Sequence, residues 1–169
     1  MAQSISIATK KDKPDWARLR CLLWPDCSAE RHELEVEQLL GSEGLVALAV
    51  LDGKVIGFAE GSIRRDDVEG TCAAPVAYLE GWFVEKQYRG KGIGRALVRF
   101  VEEWARGKGF LELASDAEIW NEASIRAHGQ LGFSGGGENG AFREEVELTT
   151  RKARKIRTGR GGIRLRLRL

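Results

Sequence analysis

The sequence predicts a single domain of the α/β (α+β) class, built on one mixed sheet flanked by helices. Three observations carry this expectation. Two apolar runs flank Asp52-Gly53, a dipeptide that favours the two-residue hairpin turn. A helix with a clean 3.6-residue apolar period follows the glycine-rich stretch Gly90–Gly94. The order of strands and helices, a hairpin followed by β-α-β-α, belongs on one mixed sheet.

Taken in order, Ser4–Ala8 alternates and reads as a first strand. Pro14 opens a helix through Trp16, Leu19, Leu22 and Leu23, closed by Trp24-Pro25-Asp26. Ser28 is the expected N-cap of a second helix, with Leu34, Leu39 and Leu40 as its apolar side and Gly41 near its end. Leu45–Leu51 and Val55–Ile63 form the hairpin, and Val76–Val84 is the next strand. Ile93, Leu97, Phe100, Val101 and Trp104 share one face of the third helix. Leu111–Ala114 reads as a short buried strand, and Glu122–Leu131 as a helix ending at Gly132.

The composition is that of a globular domain: 169 residues, 43% hydrophobic and 31% charged, with a net charge of +2. That small sum hides an asymmetry. Residues 151–169 hold nine Lys/Arg and no acid, so +9, while residues 1–150 hold 18 basic residues and all 25 acids, so −7. No apolar run approaches the ~20 residues of a membrane-spanning helix, and the first residues lack the pattern of a secretory signal. Cys21, Cys27 and Cys72 have no C-x-x-C spacing and are accompanied by only two histidines, His32 and His128. Neither a disulfide framework nor a metal site is expected, and a reducing cytoplasm is the expected location.

Gln87-Tyr88-Arg89-Gly90-Lys91-Gly92-Ile93-Gly94 stands between a strand and an amphipathic helix. Glycines let the backbone approach a ligand, and successive N–H groups at a helix start suit an anionic phosphate. Arg89, Lys91 and Arg95 add positive charge. No Gly-Lys-Ser/Thr follows, so this is not a P-loop, and the glycine spacing is not that of a dinucleotide fold. A turn used only to start a helix explains the glycines equally well.

The Gln-x-x-Gly-x-Gly stretch in this setting resembles the acetyl-CoA pyrophosphate signature of the GNAT N-acetyltransferases. Asn121-Glu122-Ala123-Ser124, His128 and Leu131-Gly132-Phe133 resemble the segment that closes the cofactor site in that superfamily. Leu22-Leu23-Trp24-Pro25-Asp26, Ser62-Ile63-Arg64, Pro75–Gly81 and Ala114–Ala117 are similar to the aminoglycoside 6′-N-acetyltransferases within it. The resemblance runs from about Asp15 to Phe133, assigning residues 1–133 to a GNAT-type domain with a mostly antiparallel sheet.

The resemblance implies direct transfer of acetyl from acetyl-CoA to the 6′-amine of an aminoglycoside in a ternary complex, and with it antibiotic resistance. Cofactor-binding residues would be Phe83, Val84, Arg89, Gly90, Lys91, Gly92, Ile93, Gly94, Asn121 and His128, with main chain near Val84 holding the thioester carbonyl oxygen. Glu80 and Asp116 are placed at the acceptor amine, to attract it and accept its proton. A carboxylate in the apolar run Tyr78–Phe83 is costly unless paired or functional. Asp116 has the simpler alternative of capping a turn. Trp24 is either a core aromatic or a flat wall for a sugar ring. With Asp67, Glu80 and Asp116 it makes up the implied substrate site.

Asp26, Glu37, Asp66 and Glu118 either widen an acidic funnel or are solvated surface. Relatives carry tyrosine after Ser-Ile-Arg, where this chain has Arg65 and Asp67. His128 takes the position from which relatives present tyrosine to the departing sulfur; it would donate a proton there or hydrogen-bond the cofactor, unless it is a surface imidazole. Asn121 would bond the pantetheine arm, cap its own helix, or both.

Residues 134–150 are expected to hold the last strand, and 151–169 form a basic tail atypical of the family. By period alone either Ala141–Leu148 or Ile163–Leu169 can serve as that strand. The tail has no aromatic residue to stack on bases, so nucleic acid is not an expected partner. It can also be read as the product of a shifted reading frame. Relatives suggest a homodimer. Two alternatives stand beside the main reading: acetylation of a polyamine or protein amine, and a non-catalytic binding module with a basic tail.

Overall fold

Asp52 and Gly53 both take positive φ, 48° and 81°, and turn β2 (Leu45–Leu51) directly into an antiparallel β3 (Lys54–Arg64). The computed structural model describes residues 3–66, 74–118, 120–135 and 162–168. Around the hairpin, β1 (Gln3–Ile7) pairs with β2 and β4 (Val76–Val84) pairs with β3, both antiparallel. β5 (Glu112–Glu118) lies parallel to β4. β7 (Gly162–Arg168) lies antiparallel to β5, and the short β6 (Ser134–Gly135) flanks it on its other side. Among the described residues this makes one sheet in the order β1-β2-β3-β4-β5-β7-β6, mixed and mostly antiparallel as expected.

The helices divide between the two faces. α1 (Lys13–Leu23) and α2 (Ala29–Leu40) cover one, where Trp16, Leu19 and Val36 join Leu48 and Phe58 in a buried cluster. α3 (Ile93–Gly107) covers the other, setting Leu97, Val98 and Val101 against Ile56, Ala59 and Leu79. α3 approaches the sheet closely because β3 offers glycine there: a Cβ on Gly61 would stand 2.9 Å from Val101 Cγ1. α4 (Glu122–Gln130) follows β5, and Phe133 just beyond it joins the α3 core.

Three apolar residues expected inside lie outside. Leu34 is exposed because the buried side of α2 carries His32 and Val36, and a position midway between them faces away. Leu22 is exposed because the inward stripe of α1 runs through Trp16, Leu19 and Arg20, with the charged residue in an interior place. Leu111 is exposed because it precedes β5. β5 itself continues to Glu118, past the expected end at Ala114, since all its residues find partners on β7. Of the two stretches whose period suits a last strand, residues 162–168 form one. Ala141–Leu148 lies outside the described residues, as does most of the basic segment before residue 162.

Candidate active site

The site is made where the sheet opens. β4 and β5 are paired only from Ala77–Leu113 to Leu79–Ser115. From Glu80 onward no described strand lies beside β4 on that side, so its edge offers main-chain N–H and C=O groups to a ligand. At the same point the pairing with β3 slips: Glu60 opposes Gly81 and Gly61 opposes Leu79. Glu80 is therefore the extra residue of a bulge, a device that re-aims side chains.

One face of the opening is acidic. Glu80 accepts hydrogen bonds from Ser62 Oγ at 2.5 Å, Arg64 Nε at 3.0 Å and Arg64 Nη2 at 2.6 Å. The Arg64 guanidinium lies 3.4 Å from the centroid of the Tyr78 ring. Partial burial pulls this guanidinium down, but the Glu80 carboxylate outweighs it and holds Arg64 above its ordinary range. Asp116 also acts on Arg64 through its charge; it is exposed, and strand alternation places it on the same side of β5 as Ala114, which packs with Tyr78. Gly81 turns towards Trp24, and a Cβ there would stand only 2.5 Å from Trp24 Cζ2. The half-buried Trp24 thus brings the Cζ2–Cη2 edge of its ring against the main chain next to Glu80.

The glycine turn borders the same opening. Gly90 and Gly92 take φ of 76° and 79°, with no other atom within 4 Å of where a Cβ would stand. Gly92 is the N-cap of α3 and supplies no side-chain cap, so the first N–H groups of the helix face outward without one. Gly94 packs on Trp82 so closely that a Cβ would come within 2.4 Å of Cζ3. This pins the helix start to β4, and Ile93 is buried beneath it. Arg89 donates from Nε to the Val84 carbonyl at 2.8 Å and lies 5.2 Å from the Phe83 ring centroid. Lys91 Nζ stands 5.7 Å from the centroid of Tyr88. Arg95 donates to the Gln130 carbonyl at 3.1 Å, tying α3 to the end of α4.

His128 is neither a surface imidazole nor a group with a free nitrogen. It is 3% exposed, edge-on to Trp82 and Phe133. Nδ1 donates to the Ser124 carbonyl at 2.8 Å, and Nε2 lies 3.0 Å from Ser115 Oγ. The Ser115 hydroxyl also reaches the Leu79 carbonyl at 3.0 Å, at the last β4–β5 pair before the strands part. Burial, the largest influence, pushes the imidazole below its ordinary pKa, against the opposing pull of the Ser124 carbonyl and Asp116. α4 directs the ring inward, so it touches the opening through Ser115 and Trp82.

The remaining expectations divide. Asn121 caps α4, accepting from Ser124 N at 3.0 Å. Glu37 is paired with Lys13, and Arg65 with Glu43. Asp67 lies outside the described residues. Among the described residues no cluster of His, Cys, Asp or Glu could hold a metal ion, and no helix is long and apolar enough to cross a membrane. Glu80 stands out in the sequence while the hold of Ser62 and Arg64 on it does not, though the polar alternation Glu60, Ser62, Arg64 in β3 carries the signal. Trp82 and Ser115 left no comparable signal.

A sequence profile described as the acetyltransferase (GNAT) family matches residues 15–133. The aminoglycoside N(6′)-acetyltransferase type 1 of Stenotrophomonas maltophilia is 44% identical over 133 residues, covering 78% of this chain and 86% of that protein. A crystal structure of the aminoglycoside 6′-N-acetyltransferase AAC(6′)-Ih from Acinetobacter baumannii superposes with a TM-score of 0.76 at 40% identity, covering 82% of this chain and 95% of that one. The structure of AAC(6′)-Iy in complex with the bisubstrate analogue CoA-S-monomethyl-acetylneamine superposes with a TM-score of 0.77 at 34% identity, over the same shares of the two chains.

Proposed function

The chain belongs to the acetyltransferase (GNAT) family, and we propose that it acetylates the 6′-amine of aminoglycosides with acetyl-CoA, by direct attack in a ternary complex. The observation that carries the reading is the bulged Glu80, at the point where β4 parts from β5 and two residues before Trp82, on which the uncapped start of α3 packs. Relatives at 34–44% identity bear the corresponding names, and one was solved with a CoA–aminoglycoside conjugate.

The residues fit the cosubstrate. The open space over Gly90 and Gly92, the α3 N-terminus, and Arg89 and Lys91 suit a pyrophosphate. The unpaired β4 edge at Phe83 and Val84 suits the pantetheine arm and thioester, and Asn121 and Ile93 are assigned to the same cosubstrate. Acetyl-CoA supplies the activated acetyl group. Main-chain N–H groups of β4 polarise its carbonyl. Glu80 and Asp116 attract the cationic acceptor, and Glu80, oriented by Ser62 and Arg64, takes the proton from its ammonium. The freed amine attacks the thioester carbonyl carbon, the C–N bond forms as the C–S bond breaks, and CoA leaves as a thiolate that takes up the second proton lost by the nitrogen. Trp24 walls the acceptor, and Asp67 joins it. His128 acts as a positioning residue, aligning Ser115 and Trp82 at the strand opening. Acetylation removes a positive charge and so weakens an aminoglycoside's grip on anionic RNA. We further propose a cytoplasmic homodimer.

Thiol release from acetyl-CoA, measured with a panel of aminoglycosides, tests the reading. Turnover is expected with 6′-amino compounds and not with their 6′-hydroxyl counterparts; no turnover with any 6′-amino compound overturns it.

A further inference from the structure

Beneath Trp24 lies a set of buried polar groups that acetyl transfer does not itself require. Glu60, 2% exposed, accepts from Trp16 Nε1 at 2.7 Å and from Arg20 Nη1 at 2.5 Å. Arg20, 4% exposed, also pairs with Glu35 and donates from Nε to His32 Nδ1 at 3.3 Å. With Nδ1 accepting, His32 carries its proton on Nε2 and donates it to the Trp24 carbonyl at 3.1 Å. His32 itself is 1% exposed.

The same groups hold the ring as well as the main chain. The Arg20 guanidinium lies 4.7 Å from the centroid of Trp24. The His32 ring is stacked with it at 6.4 Å, and Phe58 is tilted against it at 6.0 Å. The Cζ2–Cη2 edge of the ring meets Gly81, opposite Glu60 in the β3–β4 ladder. Glu60 thus anchors both the sheet at the bulge and, through Arg20 and His32, the aromatic that lies on that bulge.

We propose that Glu60, Arg20 and His32 form a positioning relay that sets the Trp24 ring at the acceptor site and thereby determines acceptor affinity. A buried ion pair adds little net stability over an apolar core of the same shape, but directional hydrogen bonds fix an aromatic plane where apolar packing alone would let it rock. The relay rests on the reading of Trp24 as the acceptor wall. It ends at the acceptor side of β4 and makes no contact with the glycine turn, so its effect falls on one substrate.

Steady-state kinetics on the full-length chain test this. His32→Leu removes both ring hydrogen bonds and is expected to raise the acceptor KM about tenfold, leaving the acetyl-CoA KM within about twofold. His32→Gln, which can accept and donate in the same directions, should recover most of that loss. Glu35→Gln, at the half-exposed rim of the relay, should raise the acceptor KM by a smaller factor; it decides the matter if His32→Leu fails to fold. Equal rises in both KM values, or no rescue by glutamine, would mean a purely structural role and overturn the proposal. Trp24→Ala separates the two layers. If it raises the acceptor KM while the His32 and Glu35 variants do not, the relay is wrong and the wall stands. If Trp24→Ala also changes nothing, both fall.

Discussion

Arg20 shows how much a residue depends on what surrounds it. On α1 it occupies an interior place that a leucine could have filled, and Glu60, Glu35 and His32 make that place tolerable. Replacing it with methionine strands the Glu60 carboxylate, whose burial already pushes its pKa up against the pull of Arg20 and Trp16. Arg20→Met is expected to cost about 3–5 kcal/mol in urea unfolding, and Arg20→Met with Glu60→Leu to recover most of it. Glu80→Gln should leave acetyl-CoA affinity unchanged by calorimetry while lowering kcat by about a hundredfold or more. His128 makes stability depend on pH. Its folded-state pKa lies below the ordinary 6.5, so in the window below 6.5 the unfolded chain binds more protons. Its contribution is intact above that value and is lost as pH falls through the window, by up to about 1.4 kcal/mol per pH unit. Thermal unfolding between pH 7.5 and 5 should show this fall, and His128→Gln should flatten it. Glu80 is legible as a candidate because a carboxylate stands out in an apolar run, whereas Asp116 and His128 are legible only through their place in motifs that resemble the family's. The partners of Glu80 are not, because Ser62 and Arg64 meet it only through a register that the bulge shifts.

At the scale of elements, local rules served well where local chemistry decides. The hairpin, the strand Val76–Val84 and the apolar face of α3 follow from a turn dipeptide and from periodicity. They failed where a neighbour decides: Leu34 and Leu22 suit a helix face, but charged and imidazole groups took the inward positions. The glycine turn is held by tertiary contact as well as by its own φ values. Gly94→Ala should drive Trp82 away from the start of α3, since the added carbon would come 2.4 Å from its ring. A severalfold rise in the acetyl-CoA KM is expected, larger than any change in the acceptor KM, and steady-state kinetics with each substrate varied in turn would show it.

For the whole molecule, the charge asymmetry takes on a different meaning. Part of the +9 segment is structural: Gly162–Arg168 fills the sheet between β5 and β6, with Leu165 buried and Leu167 packed on the main core. Deleting residues 136–169 should bare the β5 edge from Glu112 to Glu118 and remove the cover over Phe133. A lower melting temperature and self-association in light scattering are expected. Retention of the full melting temperature would show that β7 contributes nothing to the fold.

The sequence by itself determined the family, the order of the elements and the residue types at the site, because turn chemistry, periodicity and spaced motifs are local properties that survive without coordinates. Only the tertiary structure decided which stretch completes the sheet, that Glu80 is a bulge residue held by Arg64, that His128 faces inward, and that a buried relay ends on Trp24. Each of these depends on how separate elements pack together, and for Glu80 on the register between β3 and β4. A shift of one residue in that register turns every side chain to the opposite face.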